Sequence, residues 1–202
     1  MPYLPPSTAP TTSTQVADPY YISTPKPDIT VGLAHTGFTS RHQRRLVDHQ
    51  ASASVLSDPH TADMGLRFPF LVAETKGHSA SGNLVGAQNQ AAISGASMLV
   101  ILQDLTNQVK WNTCSTSDSE STTSLASPML CFSIVTAGPT HEVCVHFKHQ
   151  DAFHMHCLRS CRTTHRRDTW EFVYYLNRIL QWGREDFKNS IVMMLEKIPR
   201  CE

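Results

Sequence analysis

"FPFLVAETKG", Phe68–Gly77, carries the reading of the fold: an apolar run interrupted by one acid and one base two positions apart. Side chains alternate between the two faces of a strand. Glu74 and Lys76 therefore project from one face while Ala73 and Thr75 take the other. A surface ion pair would explain the two charges and would contribute roughly 0–1 kcal/mol. A metal site with a neighbouring cation would explain them as well, and the flanking sequence bears on which reading holds.

Working outward, "NLVGAQNQAAISGASML" follows with Leu84, Ala87, Gln88, Ala91, Ala92, Gly95 and Met98 or Leu99 at helical spacing, its small residues allowing close approach to a sheet. "MLVILQDL" extends either this helix or a buried strand. Upstream, "PKPDITVGL" gives Ile29, Val31 and Leu33 in alternation, a short strand with Asp28 at its mouth. Between the two strands, "SRHQRRLVDHQASASVL" predicts a helix capped by Ser40, and "SDPHTADMG" a turn. Downstream, "NTCSTSDSESTTSLASP" predicts an exposed polar loop near 112–128. "MLCFSIVTAGPTHEVCVHFKH" predicts two strands joined by an Ala-Gly-Pro turn, and "AFHMHCLRSC" another. Asp168 as N-cap, with Glu171 three residues on, opens a helix with the stripe Trp170, Val173, Leu176 and Ile179 or Leu180. After a break at Gly183, Phe187, Ile191, Met194 or Leu195 and Ile198 mark a second helix. The order implies an α/β (α+β) domain, a central mixed β-sheet flanked by helices, over residues 21–202. Residues 1–20, rich in Pro, Ser and Thr, predict a flexible arm.

Lysine and arginine number 17 and so do aspartate and glutamate. This balance excludes a dedicated nucleic-acid coat or membrane-surface protein, so any nucleic-acid site must be local. The N-terminus lacks a signal-peptide pattern, and no apolar run approaches the roughly 20 residues that span a bilayer. Six cysteines without CxxC pairs predict free thiols and an intracellular protein, cytoplasmic or nuclear.

Phosphodiester hydrolysis needs a divalent cation to polarise the phosphoryl oxygen and lower the pKa of a bound water, and hard cations prefer carboxylate oxygens. Asp28, Glu74 and the Thr75 carbonyl could supply oxygens, and Lys76 could position the water or stabilise developing phosphorane charge. "PKPDITVGL" followed by "FPFLVAETKG" resembles the proline-aspartate and glutamate-x-lysine signature of the PD-(D/E)XK nuclease superfamily, and the chain from about residue 20 onward is similar to uncharacterised fungal proteins classed as PD-(D/E)XK nuclease-like. The resemblance implies a restriction-endonuclease-like sheet, magnesium or manganese at Asp28 and Glu74, and a supporting glutamine on the following helix, Gln90 first and Gln88 second. Asp63 is a rival upstream acid.

Other chemistry competes. His141, His146, His149, His154 and His156 crowd two strands near Cys144 and Cys157, and imidazole and thiolate are zinc ligands, though the spacing matches no structural zinc pattern. His154 and His156 would share one strand face. The run "LRSCRTTHRR" offers Arg159, Arg162, Arg166 and Arg167 as phosphate contacts, and "RHQRR" is a second basic run; the alternative is a solvated loop. The functional expectation is a metal-dependent nuclease or nuclease-like phosphodiesterase acting on nucleic acid or another phosphodiester. The rival is the same fold repurposed for binding, interaction or small-molecule chemistry. Trp170, Tyr174, Tyr175 and Trp182 are candidates for a homodimer face.

Overall fold

The computed structural model describes residues 26–58, 65–77, 83–114 and 129–198. The polar loop from residue 115 onward, the N-terminal arm and Asp63 lie outside these. β1 (Ile29–Ala34) leads through a short 3-10 turn into α1 (Ser40–Ala51). Then come β2 (Leu66–Lys76), α2 (Leu84–Cys114), β3 (Leu130–Ala137), β4 (Thr140–His149), β5 (Ala152–Arg162), α3 (Arg166–Trp182) and α4 (Lys188–Lys197). The strands form one mixed five-stranded sheet in the order β1-β2-β3-β4-β5, and helices cover it, an α+β fold as the alternation implies.

Every neighbouring pair is antiparallel except β2–β3. Parallel strands cannot be joined by a hairpin, so the chain must cross the sheet between them, and α2 is that crossing. Its small residues let it lie close on the strands. Ala87 and Ala91 are fully buried, and Gly95 comes so near β4 that a Cβ there would fall on the His146 ring. "MLVIL" continues this helix instead of forming a strand. At 31 residues α2 is about 46 Å long, and an 11-residue strand spans about 36 Å. Its second half, with Ile101, Leu102, Leu105 and Val109, accordingly runs on to pack with Ile191, Met194 and Leu195 of α4.

β4 shows the two layers residue by residue. Glu142 reaches α2, where Gln88 bonds it, while its neighbour His141 lies against Phe172 of α3. The β3–β4 hairpin turns at Gly138, whose positive φ of 56° suits glycine.

Three local predictions need correction. The α1 cap is Thr39, whose side chain accepts from the His42 N–H, one residue before the predicted Ser40. α3 begins at Arg166 with His165 at the cap; Asp168 instead accepts the Arg162 N–H, tying the end of β5 to the helix. The inner face of α3 carries Phe172, Tyr175, Leu176, Ile179 and Trp182, whereas Trp170 and Val173 are exposed. Trp182 packs its ring against Phe70, Phe132 and Phe187, so of the aromatic residues considered for a dimer face only Trp170 and Tyr174 are well exposed.

Nor does Gly183 break the helix. A π-turn, Gly183–Phe187, joins α3 to α4 without interruption. The glycine is required by packing: a Cβ there would fall on the Phe70 ring. Phe70 in turn owes its placement to an irregularity in β2. Val31 pairs with Leu71 but Leu33 pairs with Arg67, and Phe68 within that extra length takes φ 45°. Gly183→Ala should therefore destabilise the chain by about 1–3 kcal/mol through overpacking, despite alanine's better helix propensity. Urea denaturation would read this, and the double variant Gly183→Ala, Phe70→Leu should recover part of the loss.

Candidate functional site

β2 leaves the core at its C-terminal end. Phe68 to Val72 are buried, Thr75 is exposed and Lys76 is half-buried, yet Glu74 between them is only 2 % exposed. The cover is α2. Ser94, on the same helix face as Ala87, Ala91 and Met98, donates its hydroxyl to Glu74 Oε1 at 3.2 Å. Sequence reasoning missed Ser94; the signal was a polar residue on an otherwise small and apolar stripe.

Asp28 joins this end from the neighbouring strand. Ile29 pairs with Ala73, which brings the residue before it alongside the Glu74–Thr75 peptide, and Asp28 Oδ2 accepts the Thr75 N–H at 2.7 Å. Two carboxylates 46 positions apart in the chain, and a lysine two residues beyond the second, thus occupy one end of one strand pair. Burial pushes the Glu74 carboxyl above its ordinary range and the Asp28 charge adds to this, while the Ser94 hydrogen bond and the Lys76 charge work the other way. Ser94 engages one Glu74 oxygen and Thr75 one Asp28 oxygen; Oε2 and Oδ1 remain as hard donors. A divalent cation would offset the repulsion between the two acids, and hard cations take oxygen donors of this kind.

The glutamines depart from expectation. Gln90 is exposed on α2, and Gln88 donates to Glu142 Oε2 at 2.7 Å, two strands from Glu74 in the sheet order. The arginines are only partly free: Arg159 and Arg167 both pair with Glu171, whereas Arg162 at the end of β5 and Arg166 at the start of α3 are exposed.

Among the described residues no histidine joins a group of three metal-ligating side chains, although the His149 and His154 rings meet edge to face. His146 is buried and bonds the Ser133 hydroxyl at 2.8 Å, with burial holding its pKa down at about 4. His141 bonds Thr136 and Thr163, and His154 stacks on Phe147. Instead Glu142, Cys144 and Cys157 cluster, their ligand atoms within 4.8 Å of one another. Cys131, Cys144, Cys157 and Cys161 are free thiols; all but Cys157 are buried. A cavity of about 290 Å³ lies elsewhere, between β1 and the π-turn, lined by Val31, Leu33, Phe70, Leu180, Arg184 and Lys188 among others. Among the described residues no helix is long and apolar enough to cross a membrane.

The chain belongs to the family described as a domain of unknown function, DUF7924, whose model matches residues 7–195. No curated protein and no solved structure matches it.

The raised Glu74 carboxyl sets a pH dependence. The folded chain holds this proton more tightly than the unfolded chain, so the group favours folding at low pH. That advantage is lost as pH rises from the ordinary 4.5 through the raised value. With chelator present, wild type and Glu74→Gln should have similar melting temperatures below about pH 4. The variant should become the more stable as pH rises to neutrality. Thermal melts across about pH 4–8 check this, and a wild type more stable than the variant at neutral pH would count against a costly Glu74 charge.

Proposed function

We propose that this DUF7924 chain is a divalent-metal-dependent phosphodiester hydrolase of the PD-(D/E)XK type, with Asp28, Glu74 and the Thr75 carbonyl holding magnesium or manganese. The observation that carries the reading is the contact of Asp28 with the Thr75 amide, which docks one carboxylate beside the other at the end of β2. Magnesium or manganese, when bound, would polarise the phosphoryl oxygen and lower the pKa of the attacking water. Ser94 holds the Glu74 carboxylate by its hydroxyl, and the Thr75 N–H orients Asp28 through a charge-assisted bond. Lys76 would hydrogen-bond the water or stabilise the charge that grows on the phosphorane.

With equal numbers of acids and bases, the chain has little counter-ion energy for tracking long duplex DNA. A short or structured nucleic-acid strand, or a smaller phosphodiester, fits better. In the run before α3, Arg162 and Arg166 are the exposed arginines left for backbone contacts once Glu171 has taken Arg159 and Arg167, and Arg41 and Arg44 are exposed in the other basic run. One observation favours the rival reading, a nuclease-like fold turned to binding or small-molecule work: Gln88 bonds Glu142, not Glu74, and Gln90 is exposed to solvent.

Titrating magnesium and manganese while following thermal stability and cleavage of single-stranded, duplex and branched substrates and a chromogenic phosphodiester tests both. Metal should stabilise the wild type by mass action, and cleavage should accompany it. The double variant Glu74→Ala, Lys76→Ala should lose both effects, with cleavage down by about 10²–10³. Metal stabilisation without cleavage would favour the rival; neither effect in the wild type would defeat the hydrolase.

A further inference from the structure

We propose that Glu142, Cys144 and Cys157 form a second metal site, for a zinc-class cation, with Gln88 positioning the carboxylate. The site is independent of the acid pair at Asp28 and Glu74. Glu142 pairs across with Val135, and Val135 with Glu74, so the two places are two strands, roughly 10 Å, apart along the sheet.

Strand geometry accounts for the cluster. Glu142 and Cys144 lie two residues apart on β4 and share its α2 face. Cys157 would not join them in a regular ladder. Val143 pairs with Arg159, so unbroken pairing would set Cys157 opposite Val145, on the other face. The register slips between Val143 and Cys144, and Cys144 pairs with Cys157 directly. The extra residue on β5 is Leu158. Such a bulge re-aims a side chain, and bulges recur beside active sites. Here it turns an edge-strand thiol toward a thiol and a carboxylate already on one face.

The donor set selects the cation class. Two sulfurs and one oxygen suit zinc and other borderline or soft ions better than magnesium, which wants oxygens only. Three protein ligands leave a fourth position open, the arrangement of a reactive rather than a purely structural zinc. Ligand atoms within 4.8 Å need to close by about 1 Å to reach zinc–sulfur bonds of about 2.3 Å and zinc–oxygen bonds of about 2.0–2.2 Å. Cys157, exposed, offers entry. Gln88 Nε2 donates to Glu142 Oε2 at 2.7 Å and fixes the carboxylate as an outer partner does. Among the described residues Glu142 has no ion pair with a lysine or arginine.

The test uses the full chain, reduced and stripped of metal by chelator. Zinc chloride is titrated by calorimetry, and cobalt(II) is added to read thiolate-to-metal charge transfer in the near ultraviolet. One equivalent of zinc with a thiolate band is expected. Cys157→Ser, at an exposed position that folding tolerates, should reduce the band by about half and weaken zinc binding by at least about tenfold, and Gln88→Ala should weaken it about 10–100-fold. Glu74→Ala should change neither, which separates this site from the hydrolase reading. Three results would overturn the proposal. These are no stoichiometric zinc in the reduced wild type, an unchanged band in Cys157→Ser, or a Cys144–Cys157 disulfide that forms on mild oxidation in a chain that takes up no zinc when reduced.

Discussion

The parallel pairing of β2 with β3 is the constraint on which the rest depends. Two adjacent parallel strands force a crossing, and the crossing must run over the sheet it has just left. α2 does this on residues small enough to press against the strands, with Ala87, Ala91 and Gly95 where larger side chains would hold it off. Most of that face of β2, β3 and β4 is then sealed from water. Val72, Cys131, Val135 and Cys144 are sealed usefully, since they are apolar or nearly so. Glu74, Ser133 and His146 are sealed at a cost, and Glu142 partly so. Each has a hydrogen-bond partner to offset it: Ser94 for Glu74, Gln88 for Glu142, and Ser133 and His146 for one another.

The acid pair at the end of β2 follows from the same crossing. Glu74 lies under the helix, where ionisation is disfavoured, and Asp28 lies at the open end of β1, where it is exposed and held by a backbone amide. A carboxylate made costly by burial and by a second negative charge is stabilised by a cation much more than either acid alone would be. That asymmetry separates Glu74 and Lys76 from an ordinary exposed ion pair. An exposed pair would leave Glu74 easily ionised, whereas this one is raised despite Lys76.

Much of the fold was legible because strand alternation and helical spacing are local signals. The strand after Asp28, the strand ending in Glu74 and Lys76, the small-residue helix and the Gly138 hairpin all stand where the pattern puts them. The misreadings share one cause, which is that local helix signals were outweighed by a partner outside the helix. Gly183 reads as a helix break but is a clearance for Phe70. Asp168 reads as a cap but bonds the end of β5. Trp170 reads as core from its spacing, yet α3 is rotated so that Phe172 and Trp182 face the sheet. "MLVIL" is apolar on every side because α2 passes from the sheet to α4, and no periodicity in one segment reveals two partners.

The site residues show the same division more sharply. Asp28, Glu74 and Lys76 could be grouped from sequence because the motif carries its own register: a strand mouth, then alternate positions on the next strand. Glu142, Cys144 and Cys157 could not be grouped, because the bulge at Leu158 reverses the face that alternation assigns to Cys157. Gln88 and Ser94, six positions apart on one helix, then divide the acids beneath it between them. Ser94 serves an acid that feels the Asp28 carboxylate and the Lys76 cation, and Gln88 serves one whose neighbours are sulfurs. Since hard and borderline cations sort by oxygen and sulfur, one helix face can carry two places with different ion preferences. It needs no further element to keep them apart than the strand β3 that lies between.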